Sequence, residues 1–130
     1  MADHPNAELM RSGYAAFQAA DMEGLRALFA PDIVWHDPGH NRFSGTVSGV
    51  DEVLAHFLAF ATETGGTFHV DLHDALANDE HAVALATVSG ERNGKRLSER
   101  YTQIAHFKDG RLAESWIFDE NPDVVDDFWA

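Results

Sequence analysis

The chain has 130 residues and sets 22 Asp+Glu against nine Lys+Arg, a formal net charge of −13 with histidines neutral. That length is one domain able to bury roughly two-thirds of its unfolded surface, and 45% hydrophobic residues exclude the composition of a disordered chain. No Lys/Arg cluster interrupts the acidic excess, which sets nucleic acid and anionic membranes aside as partners, and the absence of cysteine removes disulfides, thiolate nucleophiles and cysteine-ligated metal sites.

In chain order, Met10, Tyr14 and Phe17 recur at helical spacing after Pro5, which predicts a helix over about Ala7 to Ala20. Asp21 stands at an N-cap position before a shorter helix carrying Leu25, Leu28 and Phe29 on its inner face, stopped by Pro31. Asp32 to Asp37 reads as a short strand ended by Pro38-Gly39, followed by a polar loop through Asn41, Ser44 and Gly45. Ser48 and Asp51 have capping-box spacing before a third helix with the stripe Val50, Val53, Leu54, Phe57 and Leu58, which Gly65-Gly66 ends. From there the period drops to two, and four strands are expected: about Thr67 to Ala77, Glu80 to Glu91, Lys95 to Lys108 and Arg111 to Asp119. Asn93-Gly94 and Asp109-Gly110 are two-residue hairpin signals, with Asn78-Asp79 a weaker third. Asn121-Pro122 then opens a short helix in which Val124 faces Phe128 and Val125 faces Trp129. No apolar run is long enough to cross a bilayer, and MADHPNAEL lacks the regions of a secretory signal, so a cytoplasmic location is expected.

Tight hairpins fix register. Counting from Asn93-Gly94 sets Ala86 opposite Tyr101 and Ala84 opposite Gln103; counting from Asp109-Gly110 sets Gln103 opposite Trp116, Tyr101 opposite Phe118 and Arg100 opposite Asp119. One face then carries Ala82, Ala84, Ala86, Tyr101, Gln103, Ala105, Glu114 and Trp116, joined by His69, Asp71 and His73 if the first turn is tight. The other face carries Val83, Leu85, Thr102, Ile104, Ser115, Ile117 and Asp119. Small alanines facing large amphipathic side chains suit either a pocket wall or a surface between two copies of the chain. A single bulge exchanges the faces of everything beyond it.

The run from Tyr14 through Phe17, Asp21, Gly24, Phe29, Asp32, Trp35 and His36 to Asp37-Pro38, with Ser44-Gly45, Gly49 and Lys108-Asp109-Gly110-Arg111-Leu112, resembles the SnoaL-like branch of the nuclear transport factor 2-like superfamily. That group includes ketosteroid isomerase, polyketide cyclases, limonene epoxide hydrolase and scytalone dehydratase. The resemblance implies a single α+β domain over residues 1–130: a cone-shaped α+β barrel, cystatin-like, with three N-terminal helices packed on a curved, mostly antiparallel sheet. It also implies a homodimer formed through the sheet and a small, mostly apolar organic ligand, with no cofactor and no metal. Asp37 falls where ketosteroid isomerase holds its general base, and Tyr14 lies one residue out of register with that enzyme's oxyanion tyrosine. Ala105 takes the place of its protonated Asp. Asp119, following Trp116, matches the catalytic Asp of the polyketide cyclases, whereas Arg100-Tyr101-Thr102 lacks the second carboxylate of the epoxide hydrolase.

The candidate site is therefore Asp37 as base, with Asp119, Tyr14 and His40 as partners. An inward Asp37 beside Trp35 has a base's environment, while an Asp before Pro also suits turn capping. His36 or His40 could assist it. Trp35, Phe57, Tyr101, Gln103 and Trp116 are candidate ligand contacts, with Arg100 pairing Asp119. The eight histidines form no HExxH or comparable metal spacing, and phosphate loops and Gly-x-Ser-x-Gly elbows are absent. The expected protein is a cofactor-free acid–base enzyme of isomerase, cyclase or hydratase type acting on a neutral or cationic substrate, or a binding protein with the same pocket.

Overall fold

A computed structural model describes residues 3–130. Helix α1 (Pro5–Gln18) and α2 (Met22–Leu28) lead into strand β1 (Phe29–Asp37), followed by β2 (Gly45–Ser48), α3 (Val50–Glu63), β3 (His69–Ala77), β4 (His81–Arg92), β5 (Lys95–Lys108), β6 (Arg111–Asp119) and α4 (Pro122–Trp129). The expectation of an α+β domain holds, with one correction: β1 and β2 separate α3 from the first two helices. The four residues of β2, all but Val47 exposed, are too few to show alternation, which is why they read as loop.

The six strands form one sheet in the order β2-β1-β6-β5-β4-β3. Every pairing is antiparallel except β1 with β6. In β1 the register shifts between Phe29 and Val34, around Pro31, which has no N–H to give a neighbouring strand. Helix ends follow local chemistry. Asp21 Oδ1 accepts from Gly24 N at 2.9 Å and starts α2. The α3 N-cap is Gly49 at φ +90°, without the expected side-chain cap from Ser48.

The β4–β5 register is as counted from Asn93-Gly94, with Ala86 opposite Tyr101 and Ala84 opposite Gln103. The β5–β6 register is not. Lys108 pairs Arg111 and Phe107 pairs Leu112, but His106 pairs Glu114, so Ala113 is an extra residue. Beyond it Gln103 meets Ile117 and Tyr101 meets Asp119. Ser115, Ile117 and Asp119 thereby join the alanine face, and Glu114 and Trp116 leave it. A second irregularity at His73 pairs Leu72 with Ala86 and Val70 with Val88, which turns His69 and Asp71 away from that face.

The alanine face is covered within the chain, Ala82, Ala84 and Ala105 being at most 1% exposed, so it is no surface between copies. α1 packs on β3 and β4, and α3 on β1 and β2. Two apolar clusters result, one around Met10, Ile33, Trp35, Phe57 and Phe107, the other around Val70, Val88, Leu97, Phe128 and Trp129. Tyr14, Phe17 and Phe60 touch both, and a cavity lies between the clusters, lined by all three. Leu58 and Val124, placed inward by helical spacing, are half-exposed.

α4 is fastened along its length. Arg92, itself buried, donates to the Phe128 and Ala130 carbonyls at 3.3 and 3.0 Å, the negative end of the helix. Asp126 Oδ1 accepts from His40 N at 3.0 Å and Asn41 Nδ2 at 2.8 Å, tying α4 to the loop after β1. Gly39 sits at φ +87° in that loop, and a Cβ there would lie 2.4 Å from Asp126 Oδ1. Gly39→Ala is accordingly expected to cost about 1–3 kcal/mol of stability, read as a lowered urea midpoint at unchanged m-value; a midpoint equal to wild type contradicts this account of the loop.

Candidate active site

Asp37 reaches the interior by simple alternation: Ile33 and Trp35 are buried on the inner side of β1, and Asp37 is the next residue on that side. Because β1 and β6 run parallel as neighbours, their C-terminal ends lie at the same end of the sheet, and those ends carry Asp37 and Asp119. The Ala113 bulge turns Asp119 inward beside Tyr101. Helix α1 brings Tyr14 down from the opposite wall, on the stripe with Met10 and Phe17.

The cavity measures about 140 Å³, and Asp37, Asp119, Tyr14, Trp35, Phe57, Tyr101 and Gln103 all line it. The sequence-expected residues thus divide. Those seven come together, and three do not. Trp116 lies on the outer face, stacked on His36 with centroids 5.3 Å apart, because the bulge reverses its side. Arg100 is exposed and grips Glu120 through two hydrogen bonds of 2.6 and 2.7 Å; Asp119 stands opposite Tyr101 instead. His40 is exposed, carried outward by the Gly39 turn, and its backbone N–H donates to Asp126.

The partner of Asp37 is His56 of α3, whose Nε2 contacts Asp37 Oδ2. Both side chains are nearly buried, at 10% and 14% exposure, and the imidazole lies edge-to-face against Phe43 and Phe60. His56 stands three residues after Val53 and four before Phe60, on the flank of the apolar stripe, and that spacing was the available signal. Asn41, Phe43, Phe60, Phe68, Val125 and Trp129 complete the wall from elements the sequence did not tie to the site.

A directed hydrogen-bond chain crosses the floor. The Tyr14 hydroxyl donates to Gln103 Oε1 at 2.8 Å, and Gln103 Nε2 donates to Ser115 Oγ at 2.8 Å. Tyr14 has one proton, so in the 2.8 Å contact between the two phenols Tyr101 is the donor. Burial pushes both phenols up, and Tyr101 rises further through its contact with Tyr14 and then the charges of Asp119 and Asp37, so both stay protonated. Among the described residues the buried Trp35 indole N–H has no hydrogen-bond partner.

Asp119 has an unlike environment. Burial first, then the charges of Asp37, Asp126 and Glu99, push its carboxyl up to about 6, so near neutral pH it exchanges readily between acid and base forms. Among the described residues no group of three or more His, Asp or Glu is placed to hold a metal ion, and no helix is long and apolar enough to cross a membrane.

A sheet and helices enclosing a cavity with polar groups at one end define a fold shared with known proteins. An NTF2-like protein of Burkholderia pseudomallei superposes with a TM-score of 0.86 over 98% of each chain at 23% identity, a likeness of fold. Over residues 10–115 the chain matches the SnoaL-like domain, and it belongs to that family, which includes cyclases and isomerases. It is 33% identical to the uncharacterized protein Rv0034 of Mycobacterium tuberculosis over 131 residues, all of both chains. It is also 35% identical to Bal32a, from a soil-derived mobile gene cassette, with a TM-score of 0.94 over 97% of each.

The Asp119 environment has a measurable consequence for stability. A carboxyl raised in the folded state binds its proton more tightly there than in the unfolded chain, so its contribution to stability falls as pH rises from about 4 to about 6 and stays low above that. Asp119→Asn, neutral at every pH, is expected to match wild type near pH 4 and to melt at higher temperature at pH 7. A melting difference independent of pH contradicts the raised carboxyl.

Proposed function

We propose that the protein is a cofactor-free acid–base enzyme, of the isomerase, cyclase or hydratase type, acting on a small, mostly apolar molecule held in this cavity. The observation that carries the reading is the pair of carboxylates, Asp37 and Asp119, sharing one aromatic-walled cavity in different surroundings. Asp37, oriented by His56, is the base that removes a proton from carbon or from water. Asp119 in its protonated form returns a proton to the oxygen or carbon where charge accumulates, and the two exchange charge over the cycle. Apolar walls of low polarizability strengthen both interactions.

The second reading, a binding protein using the same cavity, is supported by the hydrogen-bond chain. The phenolic protons of Tyr101 and Tyr14 run toward Gln103, leaving neither aimed at a developing oxyanion, and Ala105 is a core residue at 0% exposure rather than an acid.

Deuterium exchange into small enolisable ketones in D2O, followed by proton NMR, separates the readings. Enzyme-dependent exchange that falls by about 10²–10⁴-fold in Asp37→Asn, and partly in His56→Gln, is expected. Exchange at wild-type rate in Asp37→Asn removes Asp37 as the base; ligand-induced shifts without exchange in any member of the panel favour the binding protein.

A further inference from the structure

The charge pattern of the cavity narrows what it accepts. Among the described residues its charged lining groups are Asp37 and Asp119, with no Lys or Arg. Basic side chains around it are engaged elsewhere: Arg42 with Glu63 and the Trp129 carbonyl, Arg92 with the Phe128 and Ala130 carbonyls, Arg100 with Glu120. Asp37 has His56, but Asp119 has neither an ion-pair nor a hydrogen-bond partner among the described residues, although it is partly buried. A desolvated carboxylate beside a second negative charge is unfavourable unless a cation or a proton answers it. Burial and the Asp37 charge accordingly raise its carboxyl to about 6, so that near neutral pH it is free to face a cation.

The rest of the wall is mostly apolar, and part of it is aromatic. Phe43, Phe60, Phe68 and Trp129 form one packed group, with centroids 4.6 Å apart for Phe43–Trp129 and 4.9 Å for Phe60–Phe68, and all four line the cavity. Phe43 and Phe60 also flank His56, so the aromatic group adjoins the Asp37 end of the cavity. Ring faces attract cations and reject anions. The polar floor points the same way, because the phenolic protons are committed inward and the oxygens that remain are acceptors. A net charge of −13 adds a long-range field that draws cations toward any opening.

Resting on the reading of this cavity as a small-molecule site, we propose that it selects an organic ammonium ion, a protonated amine about one aromatic ring in size, over a neutral or anionic molecule of the same shape. The ammonium group lies between the two carboxylates and the apolar body lies among Phe43, Phe60, Phe68 and Trp129. The volume of about 140 Å³ sets the size, since a cavity of roughly 150 Å³ holds benzene.

Titration calorimetry on the full chain at pH 7.5 and physiological ionic strength, where surface attraction is screened, compares three probes of one shape: benzylammonium, benzyl alcohol and benzoate. Benzylammonium is expected to bind about tenfold or more tighter than benzyl alcohol, and benzoate weakest. Asp119→Asn is expected to lose most of that preference. Benzyl alcohol binding as tightly as benzylammonium overturns the ammonium proposal and leaves the cavity site standing. Benzylammonium binding undiminished in the Asp37→Asn/Asp119→Asn double variant also overturns it, placing the cation elsewhere on the acidic surface. Failure of all three probes overturns the ammonium proposal together with the cavity site.

Discussion

Two parallel neighbours in an otherwise antiparallel sheet put the acidic groups of this protein within reach of each other. Antiparallel strands alternate their direction, so the C-termini of neighbouring strands lie at opposite ends of the sheet. Between β1 and β6 the order differs, and Asp37 and Asp119 finish at one end. Their facing inward then depends on strand parity. Asp37 follows Ile33 and Trp35 without interruption, whereas Asp119 comes inward only because Ala113 adds one residue to β6. Without that bulge Trp116 would fill the cavity and Asp119 would face outward.

Around this pair the helices supply what the sheet lacks. α3 delivers His56 to Asp37, α1 delivers Tyr14 to Gln103 and Tyr101, and α4 brings Val125 and Trp129 over the cavity while Asp126 binds the loop that follows Asp37. Alanines at positions 82, 84 and 105 keep the sheet side shallow, so the large aromatic side chains of the helices approach without filling the interior. The same arrangement explains why the two carboxyls differ: one has an imidazole partner, and the other faces apolar walls and its neighbour's charge.

Much of this was legible in the sequence because local chemistry and global fold agree. Asn93 and Gly94 both take positive φ, as the two-residue hairpin demands, and the register they set is observed. Pro38 closes a strand whose alternation already places Asp37 inside. The Ala113 bulge was illegible, since Leu112-Ala113-Glu114 carries no glycine or other bulge-forming residue, and one unread residue reversed Trp116 and Asp119 together. His40 looked close to Asp37 in sequence but is carried outward by Gly39 at φ +87°, while His56, 19 residues from Asp37, arrives through helix packing that spacing hints at but does not specify. β2 is too short and too exposed to leave a period.

Asp37 and Asp119 feel each other's charge across one apolar-walled cavity. Carbon-13 NMR titration of the aspartate side-chain carboxyls tests this coupling directly, in wild type and in Asp37→Asn. Asp119 is expected to titrate near 6 in wild type and to move to lower pH when the Asp37 charge is removed. An Asp119 carboxyl titrating in the ordinary range near 4, or one unmoved by Asp37→Asn, contradicts it.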